Sequence, residues 1–171
     1  MQAAFAVLGT SLAFYINHSV AILGLTLFAA VGRAIQLGWP DRIPALLNGT
    51  LEIVVEGARL LIVVYVIWQS FATMRTDPGQ FLALFWQNLT SRWLVLLLSI
   101  LVFSIFALLV NGGIRWIAQY NPIQNALHGL PLLSSLNKER LSLVIVFFLK
   151  NLTIIPFTLV WLCYGLVRLL K

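Results

Sequence analysis

The run WLVLLLSILVFSIFALLV, Trp93 to Val110, holds eighteen residues without one charged side chain. It has no polar face to offer water. Its length approaches the roughly 20 residues that carry a helix across a hydrocarbon core. In such surroundings each backbone N–H and C=O must find a partner within the chain, which in one segment only a helix provides. This run therefore sets both the solvent and the element type.

Three further apolar segments accompany it. The first covers about residues 3–36 and is broken by Pro40, Asp41 and Pro44. The second covers 45–74 and stops at the TDPG turn, and the fourth covers 137–170. The third, containing the opening run, extends over 78–110 and ends at Asn111-Gly112-Gly113. Composition agrees, with 61% of residues hydrophobic and only 9% charged, against about 25% charged in a soluble domain. The expected fold is an all-α integral membrane protein. It has four long transmembrane helices and one or two short interfacial amphipathic helices, in a single domain over residues 1–171.

The interfacial pieces are placed at about 78–92 and 114–128. In the first, Asp77 suits an N-cap, Pro78 the first helical position and Gln80 a capping-box partner. Phe81, Leu82, Phe85, Trp86, Leu89 and Trp93 then form one stripe, opposed by Gln80, Gln87 and Ser91. In the second, IRWIAQY offers Arg115, Trp116 and Tyr120 as anchors before Pro122, Gly129 and Pro131 interrupt the chain. Trp39, Trp68, Trp86, Trp93 and Trp116 are the expected interfacial anchors. The N-terminal MQAAFAVLGTSLAFYI has no basic region ahead of its apolar stretch, so it reads as part of the first helix.

The net charge of +6 raises the question of nucleic acid. The basic residues stand singly at the ends of apolar runs, without the clustering that a nucleic-acid surface needs. Anionic lipid headgroups are their expected partners. Counting cations on the two sides of four spans gives Arg75, Arg92, Arg168 and Lys171 against Arg33, Arg42, Arg115, Lys138 and Arg140, which is no bias. Arg168 and Lys171 at the last helix end point to cytoplasmic termini in a cytoplasmic (inner) membrane.

The candidate functional residues are the ionisable groups within the apolar segments. Glu52, Glu56 and Arg59 fall within about a 60° arc of a helix advancing 100° per residue. They share one face, and that face belongs to protein or water. Glu52 suits a first helical turn capped by Thr50, and Glu56 and Arg59 can pair at i, i+3. The competing assignment is a polar pathway through Glu56, tuned by Arg59. His18 lies inside the first segment, on a stripe with Ser11, Tyr15, Ala21, Ala29, Gly32 and Gln36 that suits close helix packing. Lys150 and Asn151 interrupt the fourth segment. Lys150 either snorkels to an interface or meets Glu52 or Glu56 at depth. Pro156 should bend the same helix.

No catalytic or metal site is legible. The lone Cys163 cannot form an internal disulfide, and its expected role is a small buried hydrophobe. His128 lies in a loop and cannot complete a haem site with His18, so no cofactor is expected. There is no glycine-rich phosphate loop and no nucleophile beside a His and an acid. The expected function is a non-catalytic, multi-pass membrane subunit of a larger complex, in a structural, accessory or anchoring role. Its partners are other membrane proteins or copies of itself. The alternative is a small channel or secondary transporter using Glu52, Glu56, Arg59, His18 and Lys150 as a track. A lipid-modifying enzyme with His18 as base comes third.

Overall fold

The computed structural model describes residues 2–74, 86–87 and 91–165, and every element among them is helical. In chain order these are α1 (Gln2–Asn17), α2 (Ser19–Gly38), α3 (Ala45–Met74), α4 (Trp93–Gln119), α5 (Asn121–His128), α6 (Lys138–Leu152) and α7 (Ile154–Val160). A short turn of 3-10 helix at Pro40–Arg42 joins α2 to α3, and a wide π-type turn, Trp161–Gly165, follows α7. Among the described residues, three stretches are long and apolar enough to cross a membrane: Ser19–Gly38, Trp93–Gln119 and Lys138–Gly165. The segment expected at 45–74 is the 30-residue α3, whose first half carries Glu52, Glu56 and Arg59.

The expected interfacial start at Asp77, Pro78, Gln80, Phe81, Leu82, Phe85 and Leu89 lies outside the described residues. Within it, Trp86 and Gln87 are helical and exposed. Two boundaries differ from the sequence reading. First, α4 does not stop at Asn111-Gly112-Gly113 but continues to Gln119, taking in Arg115 and Trp116. Asn111 turns its amide back onto Ala107 O at 2.8 Å instead of capping the helix, and Ile114 and Ala118 are buried. That burial outweighs the roughly 1 kcal/mol per glycine by which Gly112 and Gly113 disfavour a helix. The chain turns at Tyr120, ahead of Pro122, so α5 is separate.

Second, the bend in the last helix precedes Pro156. Thr153 leaves helical geometry, with φ −120° and ψ −79°, between α6 and α7. Proline has no N–H to give the carbonyl four residues back, here that of Leu152. The Tyr15 hydroxyl donates to this Leu152 O at 2.9 Å, so α1 satisfies the acceptor that Pro156 frees. Tyr15→Phe should therefore lower stability by about 1–2 kcal/mol. Thermal melting in detergent checks this; an unchanged melting temperature would show that the carbonyl has another partner.

The packing follows an up-down-up-down order. Ile22 shares a cluster with Ile62 and Val66, while Gly32 meets Val55, so α2 and α3 are antiparallel. Gly38 faces Val144 and Ile22 shares its cluster with Val160, so α6 and α7 run back along α2. Phe103 of α4 packs with Val7 and Trp161. Ala118 packs with Leu141 and Ile145, so α4 runs in the same direction as α1 and α2. The α2–α3 contact is close because small residues form it: Ala29 and Gly32 face Val55 and Ala58. Within the expected stripe, Ser11, Ala29 and Gly32 are buried, and Ala21 is exposed.

The polar residues in these helices are mostly satisfied locally. The hydroxyls of Ser11, Thr26, Ser70, Ser99 and Thr158 each donate to a carbonyl three or four residues earlier. A helix can keep such hydroxyls in apolar surroundings because each finds its acceptor on the same helix. The outer surface is apolar: Val20, Ile53, Leu108 and Leu109 are each more than 70% exposed. Exposed apolar side chains in this number call for an apolar environment or a partner.

Candidate functional site

The expected charged face on α3 exists, but it is completed by residues of two other helices. Arg33 of α2 donates from both terminal nitrogens to both carboxylate oxygens of Glu52, at 2.7 Å each. A planar guanidinium meeting a carboxylate in this bidentate way is the strongest geometry for the pair. The same guanidinium reaches Gln36 Oε1 at 3.1 Å and Glu56 Oε1 at 3.4 Å. Gln36 in turn donates to Asn48 Oδ1 at 2.9 Å and to Glu52 at 3.3 Å.

Deeper along α3, Arg59 donates to Glu56 Oε1 at 2.6 Å, the expected i, i+3 pair. Its other nitrogen donates to Asn151 Oδ1 at 3.0 Å. Asn151 is 1% exposed and gives its amide to Phe147 O at 2.8 Å. The result is a ladder from Gln36 and Asn48 through Glu52, Arg33, Glu56 and Arg59 to Asn151. It links α2, α3 and α6. From Asn48 to Arg59 it climbs about 16 Å along α3 at 1.5 Å per residue. Two arginines face two glutamates, so the ladder is neutral as a whole.

Its exposure is uneven. The side chains of Arg33 and Arg59 are each 25% exposed, whereas those of Glu52 and Glu56 are 47% and 51% exposed. The cations sit inward, between helices, and the carboxylates look out of the bundle. Seen from outside, this groove presents acid over half-buried base.

The remaining expected residues lie elsewhere. His18 stands between α1 and α2, fifteen residues before Arg33 and so about 22 Å away along the helix. Its Nδ1 lies 3.0 Å from Phe14 O, so that nitrogen carries the proton, because a carbonyl can only accept. Its ring stacks on Phe14 at 4.1 Å and meets Tyr65 edge-on at 5.9 Å. It borders a cavity of about 280 Å³ with Thr10, Asn17, Gln69 and Tyr164. Lys150 adjoins Asn151 in sequence, yet its Nζ lies over the Phe147 ring at 5.8 Å. Among the described residues it has no ion-pair partner. Glu52 and Glu56, its expected deep partners, are held by the arginines. Cys163 is free and half-buried, beside the Phe14–Ile22 cluster.

Trp68, Trp86, Trp93 and Trp116 are exposed, while Trp39 is half-buried and donates to Ser135 Oγ at 3.4 Å. Trp93 and Trp116 stand twenty-three residues apart, about 34 Å on one helix. The sixth tryptophan, Trp161, is buried and stacks on Phe103 at 4.3 Å.

Sequence reasoning missed Arg33, Gln36 and Asn151 as members of the ladder. A signal was present. Around Arg42 in the α2–α3 turn, Gln36 and Asn48 stand six residues to either side, and Arg33 and Glu52 nine and ten. An antiparallel helical hairpin brings such positions to one level. Asn151 had no comparable signal, since its approach to Arg59 depends on how α6 docks.

No protein-family model, curated protein or solved structure matches this chain.

Proposed function

We propose that the chain is a multi-pass integral membrane protein with α3 as a fourth span, acting as a non-catalytic subunit of a larger membrane complex. The outward-facing ladder carries this reading. Glu52 lies seven residues into α3, about 10 Å, and Arg59 fourteen, about 21 Å. A hydrocarbon core is about 30 Å thick. Half-exposed carboxylates at such depth would face lipid, where ionised groups are costly. A polar or cationic surface of another membrane subunit, or of a second copy, would cover them. The tryptophan spacing of about 34 Å on α4 suits the two interfaces of a bilayer.

The transport reading is less well supported. A track needs its ionisable groups to converge on one interior path. Here the carboxylates lie on the outer side of the helix trio, paired with the arginines between the helices, and His18 is remote. Cytoplasmic termini in a cytoplasmic membrane rest on Arg168 and Lys171 alone.

The deciding experiment extracts the tagged protein from its own membrane in mild detergent, measures its native mass and identifies every co-migrating chain. Stoichiometric migration with other membrane proteins is expected. Glu52→Gln combined with Glu56→Gln should then weaken the association more than Arg33→Met does, because Arg33→Met also opens the ladder but leaves both carboxylates in place. If the protein travels alone as a monomer, the subunit reading fails. In that case Glu56→Gln and Lys150→Met become the variants to assay for transport.

A further inference from the structure

At the end of the bundle where α2 turns into α3, a cavity of about 210 Å³ is lined by Trp39, Asp41, Arg42, Ser135, Leu136 and Arg140, with Gly38 at its base. The elements that build it come from distant parts of the chain. The Pro40–Arg42 turn supplies one wall, and the approach to α6 supplies the other. Trp39 Nε1 donates to Ser135 Oγ, and Arg140 pairs with Asp41 at 3.1 Å. Arg42 is exposed, and no carboxylate among the described residues lies within ion-pairing distance of it.

The charges decide what fits. Two guanidinium groups face one carboxylate, leaving one positive charge. The carboxyl end of α2 and the amino end of α6 both reach the site. Their partial charges are of opposite sign and about half a unit each, so they offset one another. The arginines therefore dominate. A guanidinium favours a planar, two-pronged contact with phosphate oxygens. The deficit of one negative charge matches a phosphodiester, which carries one, better than a phosphate monoester, which carries nearly two.

Position supplies the second argument. The cavity opens immediately beyond the apolar stretch Ser19–Gly38, at the same end as the exposed Trp116 and the cations Arg115 and Lys138. In a bilayer this is headgroup level, where indole rings sit and where lipid phosphates are found. We infer that this cavity binds the phosphodiester of an anionic phospholipid, with Arg42 and Arg140 on the phosphate oxygens and Ser135 and Trp39 beside them. The inference rests on the membrane placement of the chain but not on its being a subunit.

The test titrates the delipidated full chain in neutral detergent with phosphatidylglycerol, phosphatidylcholine and inorganic phosphate, reading bound lipid by native mass spectrometry and stability by thermal shift. Phosphatidylglycerol should bind in preference to phosphatidylcholine. Arg42→Gln should weaken it roughly tenfold. Arg42 is exposed and has no ion-pair partner among the described residues, so this variant leaves the fold intact. Asp41→Asn should act in the opposite direction and tighten binding, because it removes the competing carboxylate. Equal binding of the two lipids, or Arg42→Gln and Asp41→Asn both matching the parent, overturns the proposal. Inorganic phosphate stabilising the protein as well as phosphatidylglycerol would overturn the lipid as the source of the anion. Since the readout needs no partner chain, it is independent of the native-mass result.

Discussion

Replacing Arg33 with methionine should lower the melting temperature of the detergent-extracted protein by roughly 5–10 °C. Methionine keeps most of the length and the apolar stem, so packing between α2 and α3 changes little. What disappears is the two-pronged partner of Glu52 at 2.7 Å and the second partner of Glu56. Glu52 then keeps only Gln36, and Glu56 only Arg59. Removing one side of an ion pair is more harmful than removing both, because the survivor keeps its charge and loses its compensation. Arg33→Met combined with Glu52→Met should therefore melt above Arg33→Met alone. If Arg33→Met melts with the parent protein, the ladder does not hold the helices together. A double variant no better than the single one would mean that the two residues are not coupled.

Gly32→Leu is expected to be more damaging still. A Cβ at Gly32 would lie 2.8 Å from Val55 Cγ2, and Val55 is fully buried, so it has nowhere to move. Overpacking in a closed contact costs about 1–3 kcal/mol and more where the backbone must shift. Here α2 and α3 would have to separate one residue away from Arg33, so the ladder would open as well. Gly24→Leu provides the comparison on the same helix, because nothing lies within 4 Å of a Cβ there. Melting curves of the two variants should separate clearly, with Gly24→Leu near the parent. Equal loss in both would point to the helical preference of glycine positions in general and away from a close contact.

Both predictions concern the hairpin of α2 and α3, where local and tertiary information meet. The pairing of Glu56 with Arg59 was legible because i, i+3 neighbours on one helix touch whatever else the chain does. The turn was legible too, because Pro40 and Pro44 stop a helix by removing donors and fixing φ. The partner of Glu52 was less accessible. It needed the hairpin register around Arg42, and Arg33 had already been accounted for as a cation at a helix end.

Other elements show where local rules lose. Asn111-Gly112-Gly113 carries every sign of a helix end, yet α4 passes through it. Packing of Ala118 against Leu141 and Ile145, together with the burial of Ile114, overrides the glycine preference, and no local pattern contains that burial. Pro156 correctly announced a defect in the last helix. The defect is centred at Thr153, and its freed carbonyl is answered by Tyr15, 137 residues earlier in the chain.

The sequence by itself determined the all-helical class of fold and its apolar stretches of membrane-spanning length. Apolar runs of about 20 residues with few charges leave the backbone no option but to satisfy itself in helices. It also determined that Glu52, Glu56 and Arg59 share a face, because helical periodicity is a local property. Only the tertiary structure decided what that face meets. Arg33 and Asn151 reach it through the register of α2 against α3 and the docking of α6, which depend on side-chain shapes across helices. The same docking turned the carboxylates outward and the arginines inward. That difference puts acid on the outer side of the groove and base between the helices.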